Sequence, residues 1–316
     1  MKVNPTVTVL IATYNYELYI RYAIESIIAQ DYSSDSIEVI IVDDGSTDNT
    51  KEVVSEYFDK IDCKYIFQEN MGKAAATKLG VSIAKGKYLF VLDADDYYEK
   101  TCLREVVEYF EMDASIVQVS HLASRLDEET GKYTRQTCNH TLINRPFDGL
   151  EMIYKNLFYD YNIGLGSTFA CRTMILKKIE IPDGVDMYID YFLFLKIAQH
   201  GKVVQLDRVL SIFRRHLRSY SEGKEQFENK RKRSLRYYYS AKTLYLNIME
   251  DSLSEKVKLA LKLFYFRHLY ESADYLKKKQ RITIGFAILR LVLSLAPLQK
   301  SKFRYLKNNI RYLANF

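Results

Sequence analysis

The chain has 316 residues, 48% of them hydrophobic and 27% charged, with four prolines, 12 glycines and a formal net charge of +6. That length supports one large core or two modest domains, and the ordinary composition excludes a disordered, collagenous or disulfide-framed protein. The charge is unevenly placed, net −11 over residues 1–200 and net +17 over residues 201–316, and a basic tail on an acidic body points to a polyanionic partner such as a membrane surface, nucleic acid or phosphorylated substrate.

The first residues run straight into a strand and show no secretory signal, and no apolar run reaches the roughly 18 residues of a membrane span. Cys63, Cys102, Cys138 and Cys171 stand far apart with no CxxC pair. They read as reduced thiols of a cytosolic protein.

Val7 to Ala12 (VTVLIA) reads as a buried strand ending in Thr13-Tyr14-Asn15-Tyr16, and Glu17 to Ala29 then follow a helical period. Val39 to Val42 (VIIV) is a second strand, ending in Asp43-Asp44-Gly45-Ser46-Thr47-Asp48, where Ser46 to Asp48 offer an N-cap for a helix to about Tyr57. A third strand covers about Lys64 to Phe67. After Asn70-Met71-Gly72-Lys73 an Ala-rich helix runs to about Ala84, and Tyr88 to Leu92 form a fourth strand. Strand and helix thus alternate four times in about 90 residues, the pattern of a doubly wound α/β half.

The fourth strand runs into Asp93, Asp95 and Asp96 with only Ala94 between. Such a D-x-D step fits either a divalent metal with substrate phosphate completing its shell, or an acidic turn with a helix cap. Three polar clusters (Thr13 to Asn15, Asp43-Asp44, Asp93 to Asp96) nonetheless fall at strand carboxyl ends on one rim, where open α/β sheets bind ligands. No GxGxxG and no GxxxxGK[ST] occurs. Carboxylates offered to a nucleotide therefore point to base and ribose recognition with a metal on the diphosphate.

VLIATYN, IIVDDGSTD and ENMGKAAATKLGVSIAKGKYLFVLDADD resemble, in order and spacing, the family-2 inverting glycosyltransferases of GT-A type fold, over about residues 6–220. By that resemblance Thr13 and Asp44 contact the nucleobase, Asp93 the ribose, and Asp95 a Mg or Mn ion on the diphosphate, with Asp96 beside them. Tyr14, Asn15, Asp43, Gly72 and Lys73 complete the donor-side set. Thr77-Lys78 stand where the family often has Arg-Asn, which leaves the local donor contacts open.

Gly164-Leu165-Gly166-Ser167-Thr168, followed by Arg172, resembles the family's acceptor-side approach to a strand, with Gly166 and Ser167 the acceptor-side candidates. The plain reading is a Gly turn. Tyr191 to Ala198 is a helix with Asp190 at its start, either as an N-cap or as the general base for the acceptor hydroxyl. The family commonly has Glu-Asp there with the Asp as base, and this chain has Ile189-Asp190; Asp186 is the rival. LSIFRRHLRSYS (Leu210 to Ser221) is similar to the family's Arg-x-His-x-x-Ser pattern. A lone His is usually structural, but among Arg214, Arg215 and Arg218, whose guanidiniums suit phosphate oxygens, His216 is expected to contact a metal or the diphosphate.

From Glu222 onward helical periodicity takes over. A charge run (Lys230 to Arg236), Tyr237-Tyr238-Tyr239, the apolar Ile282 to Ala296 and the basic amphipathic Ser301 to Phe316 read as helices packed on the core, lying on an anionic membrane, or both. No RNA-binding motif is present, so no nucleic-acid partner is expected.

The sequence thus predicts a GT-A type α/β catalytic domain over residues 1–221, with a donor half to about 98 and an acceptor half after it, then a helical basic region over residues 222–316. The expected protein is a cytoplasmic, peripherally membrane-bound, metal-dependent inverting glycosyltransferase. It would move a sugar from a nucleotide donor, UDP-linked by resemblance, to a glycan or lipid-linked acceptor in bacterial surface-polysaccharide or lipopolysaccharide assembly. The QxxRW motif of processive synthases is absent. A metal-dependent nucleotidyltransferase and an inactive membrane-associated scaffold of the same fold are the alternatives.

Overall fold

A computed structural model describes residues 5–135, 144–159, 166–216 and 230–271. Expectations resting on Cys138, Gly164, Leu165, Arg218, Ile282 to Ala296 and Ser301 to Phe316 lie outside the described residues. The chain opens with β1 (Val7–Thr13), α1 (Ile20–Ile28), β2 (Ile37–Asp43), α2 (Thr50–Ser55), β3 (Cys63–Phe67), α3 (Lys73–Ile83) and β4 (Tyr88–Val91). The alternation is the one the apolar runs predict, with α1 starting three residues late because Glu17 is tied to the next loop: its amide donates to Asp48 and its carboxylate accepts from Asn49. Then follow β5 (Tyr97–Tyr98), α4 (Cys102–Met112), β6 (Ile116–Asp127), β7 (Lys132–Arg135), β8 (Phe147–Asp148), α5 (Gly149–Tyr159), β9 (Phe169–Arg172), α6 (Thr173–Leu176), α7 (Ile189–Ile197), β10 (Lys202–Arg215), α8 (Lys230–Met249) and α9 (Glu255–Glu271).

The strands form one mixed sheet in the order β3-β2-β1-β4-β9-β6-β10-β5, with β7 on β6 and β8 on β10. β1, β2, β3 and β4 are parallel, and β9 enters antiparallel between β4 and β6. The register sets Thr13 beside Asp43, and Val91 beside Leu10. The polar ends of β1, β2 and β4 therefore share one rim.

Residues of β1 and β2 alternate between two buried layers. Leu10, Ile40 and Val42 face α3, α5, α7, α8 and α9. Val9, Ile11, Val39 and Ile41 face α1, α2 and α4. The first layer runs unbroken from α7 residues such as Phe192 to Leu244, Leu261 and Phe264 of the terminal helices. Packing thus continues across the change of composition near residue 222. Cys63, Cys102 and Cys171 are free thiols. His121, whose Nε2 lies 3.6 Å from the Cys102 sulfur, is a core residue whose burial lowers its pKa to about 4.

The far end of the sheet is fastened by the buried Glu38. Thr8 Oγ1 and Lys64 Nζ each donate to it at 2.6 Å, and the amides of Lys85 and Gly86 also point at it. Burial opposes its charge, but Lys64, Thr8 and the Lys85 amide together lower its pKa below the ordinary 4.5. Its stabilisation is therefore complete above that value and is lost as pH falls through the lower, folded-state pKa. Glu38→Gln is expected to lose about 2 kcal/mol at pH 7. In urea unfolding, the gap to wild type should narrow as the pH is taken below 4.5.

Candidate active site

Most of the rim residues open onto a single cavity of about 980 Å³. At its base the chain leaves β4 through Asp93, whose amide donates to Ser167 Oγ at 3.0 Å; Ser167 in turn donates to Asp96 at 2.5 Å. Asp96 also accepts from the Arg214 amide at 3.1 Å and is only 5% exposed. Burial first, then the neighbouring Asp95 and Asp93, push its pKa well above the ordinary carboxylate value. Asp96 thus ties β4 to β9 and β10, and Ser167, wholly buried, acts from beneath the site.

Asp93 and Asp190 converge from different halves. Lys73 Nζ donates to Asp93 at 2.8 Å and to Asp190 at 3.4 Å. Burial disfavours the lysine's charge, but the two carboxylates outweigh it and hold its pKa well above the usual value. For Asp190, burial raises the pKa, Lys73 pulls it down, Asp93 pushes it up, and the net shift is upward. Asp190 lies in the first turn of α7 and makes no cap bond; the residue at the cap position is Tyr188. The rival, Asp186, accepts the Ala74 amide at 2.8 Å and so satisfies the open N-terminus of α3.

Gly166 makes the convergence possible. Its φ is +63°, and a Cβ there would sit 3.0 Å from Asp93 Oδ2 and 3.6 Å from Asp190 Oδ2. Gly166→Ala is expected to displace Asp93 and weaken ligand binding in the cavity about tenfold, with a small loss of stability from the left-handed backbone. Binding titrations beside a melting curve separate the two effects.

Asp95 and His216 face each other, Oδ2 to Nε2, at 3.1 Å. His216 is 7% exposed, and its imidazole stacks on Tyr19, centroid to centroid 3.8 Å. Among the described residues no group of three or more His, Cys, Asp or Glu gathers as a protein-only metal cage. A carboxylate and an imidazole aimed at one point fit a hard divalent ion that takes the rest of its shell from phosphate and water. Tyr16 lies edge-on to the same imidazole, and burial, then Asp95 and Asp93, hold its phenol neutral with a raised pKa.

The remaining sequence candidates divide. Thr13, Tyr14, Asn15, Asp44, Gly72 and Lys73 line the cavity. Thr13 is buried, and its hydroxyl has no hydrogen-bond partner among the described residues. Asp44 orients the following loop, accepting from Gln68 at 2.7 Å and from the amides of Met71 and Gly72 at 2.9 and 2.8 Å. Asn15 adopts φ of 60° and accepts the Thr47 amide at 2.7 Å, joining the β1 and β2 loops.

Three expected donor contacts read differently in the structure. Asp43 is wholly buried outside the cavity wall, its carboxylate used by the Ser46 amide at 2.7 Å and the Tyr65 hydroxyl. Arg214 is paired with Glu128 and lies over the Tyr22 ring at 4.0 Å. Arg215 is paired with Asp127 at 2.8 Å. Both arginines line the cavity, but their guanidiniums are held by carboxylates at the end of β6. Sequence reasoning missed Arg125 and four residues of α8, Arg236, Tyr237, Tyr239 and Ser240, which complete the wall.

Comparison with known proteins agrees with this architecture. The profile of glycosyl transferase family 2 matches residues 8–180. Glycosyltransferase GlyA of Streptococcus pneumoniae is 27% identical over 279 residues, 84% of this chain and 36% of its own length. The minor teichoic acid biosynthesis protein GgaA of Bacillus subtilis is 26% identical over 286 residues, 87% of this chain and 60% of its own. The chain therefore spans only about a third and three fifths of those relatives. Among solved structures, S. aureus TarS 1-349 in complex with UDP-GlcNAc matches with a TM-score of 0.67 at 19% identity, covering 92% of this chain and 82% of that one. Mannosyltransferase PcManGT from Pyrobaculum calidifontis, in complex with GDP-Man and Mn2+, matches at 0.56 and 19%, covering 99% and 86%. At such identities these likenesses establish the shared fold, a mixed α/β sheet of GT-A type with C-terminal helices. The chain belongs to glycosyl transferase family 2.

Proposed function

We propose that this chain is an inverting glycosyltransferase. It transfers a sugar from a nucleoside diphosphate donor, UDP-linked, to an acceptor hydroxyl in the synthesis of a cell-surface glycopolymer. The observation that carries the reading is the meeting of Asp93, Lys73 and Asp190 in one cavity that Asp95, the partner of His216, also lines. The UDP-GlcNAc complex of TarS and the teichoic acid role of GgaA support the donor and polymer classes.

In this reading Thr13 and the loop ordered by Asp44 receive the base, and Asp93 receives the ribose. Asp190 accepts the proton of the acceptor hydroxyl as that oxygen attacks the anomeric carbon opposite the leaving diphosphate, which inverts the centre in one displacement. Lys73 opposes the upward shift that burial and Asp93 impose on the Asp190 pKa. Asp95 and His216 would hold a Mg or Mn ion, whose charge offsets that developing on the diphosphate.

No described helix is long and apolar enough to cross a membrane. The positive charge of residues 201–316 supports peripheral contact with an anionic membrane at the cytoplasmic face, where a lipid-linked acceptor would be met. A screen of nucleotide sugars with Mn, read as released nucleoside diphosphate and as thermal shift, tests the function. One UDP-sugar should be slowly hydrolysed and should stabilise the fold. Stabilisation by nucleoside triphosphates, with no sugar nucleotide bound or cleaved, would favour a nucleotidyltransferase instead.

A further inference from the structure

One wall of the cavity comes from a helix that donor recognition does not use. In α8 the side chains of Ala241, Leu244 and Ile248 are buried, and Leu244 and Ile248 share the inner layer with Leu261 and Phe264 of α9. The preceding turn extends beyond that stripe, and there Arg236, Tyr237, Tyr239 and Ser240 line the cavity. Ser240 fixes its position: Oγ donates to the Gly184 carbonyl at 2.8 Å and accepts the Met187 amide at 3.4 Å. Tyr237 meets Tyr188 edge-to-face at 5.8 Å. Both anchors reach the segment immediately before Asp190, so this turn of α8 and the carboxylate are held by one packed unit.

The chemistry of the turn suits a ligand with an apolar face and a negative charge. Tyr239 is 58% exposed, although it is aromatic and stands in a cavity wall. A large ring left open inside a cavity favours a ligand with a face of C–H bonds, which a pyranose ring offers along with hydroxyls for the tyrosine edges. Arg236 is exposed in the same wall, and Arg125 lines the cavity as well. A guanidinium recognises phosphate through paired N–H groups.

We propose that the turn of α8 from Arg236 to Ser240 forms the acceptor subsite, with Tyr237 and Tyr239 stacking on a sugar of the acceptor and Arg236 pairing with a phosphate attached to it. The proposal rests on the glycosyltransferase reading above. It assigns to this helix the choice of acceptor, where the sequence pattern alone suggested a packing or membrane role.

Saturation-transfer NMR with glucose 6-phosphate and with glucose tests it on the whole chain, with UDP and Mg2+ filling the donor half. Glucose 6-phosphate should receive saturation at its ring protons, and glucose should bind about tenfold more weakly. Tyr239→Ala and Arg236→Ala should each weaken glucose 6-phosphate about tenfold, whereas Tyr239→Phe, which keeps the ring face, should bind as wild type does. Both positions are exposed, and a melting curve verifies folding. Undiminished saturation transfer in both alanine variants, or none in wild type, overturns the proposal. UDP binding followed in the same samples is read separately. If wild type fails to bind UDP, the donor reading itself falls; if UDP binds and the sugar phosphate ignores α8, only the acceptor proposal falls.

Discussion

Asp190→Asn is expected to lower kcat about 10³-fold while leaving the Kd for donor within a factor of about three. The substitution keeps size and hydrogen-bonding shape but cannot take a proton. Its neighbours define a second signature. Burial and Asp93 raise the Asp190 pKa, and Lys73 only partly opposes them. The base is ionised only above that raised value, so kcat/KM of the wild type should fall on the acid side at a pH above the ordinary 3.8 of an aspartate. The residual activity of the Asn variant should lack that limb. Asp186→Asn, which touches the α3 terminus instead, should keep the limb. A pH–rate profile of the three proteins distinguishes a base from a cap.

Asp95→Ala is expected to abolish stimulation by Mn and to reduce kcat/KM by about 10²- to 10³-fold. Removing the carboxylate leaves His216, buried and stacked on Tyr19, as the remaining member of the proposed metal-binding pair. UDP affinity in the presence of Mn should fall in step, and UDP affinity in chelator should change little. A metal titration of the thermal shift with UDP present reads both effects. Among the described residues the Asp95 side chain bonds to His216 at the cavity wall, so the variant should fold normally.

Much of the donor half was legible in the chain. VTVLIA, VIIV and YLFVL are continuous apolar runs because both faces of their strands are covered, and such strands leave their polar residues only at the ends. The rim was therefore readable from where each run stopped. What each carboxylate does was less readable, because a sequence shows a charge but not its partner. Asp43 and Asp44 are neighbours, yet Tyr65 and Ser46 enclose the first while the second turns to the 68–72 loop. Arg214 and Arg215 look like phosphate ligands until Asp127 and Glu128 pair with them across the sheet. The same non-locality hid α8. The YYY run beginning at Tyr237 reads as a membrane-facing stripe, and only its contact with Tyr188 and Ser240's bonds to the 184–187 segment place it over the cavity.

The structure also explains how the two halves of the site meet. Gly166 passes close to Asp93 and Asp190 because it lacks a Cβ, and Lys73 joins the two carboxylates across the gap. Tyr191 stacks on Phe264 at 4.7 Å, so the helix bearing Asp190 is braced by α9. The terminal helices thus support the proposed base as well as enclosing the cavity.

The most direct test of the account is nucleoside diphosphate release from the best UDP-sugar, measured for wild type, Asp190→Asn and Asp95→Ala, with UDP affinity determined in parallel. The account predicts loss of turnover in both variants, with UDP binding kept in the first and its Mn-dependent part lost in the second. Full turnover by Asp190→Asn in the presence of acceptor, or Mn-dependent UDP binding unchanged in Asp95→Ala, would contradict it.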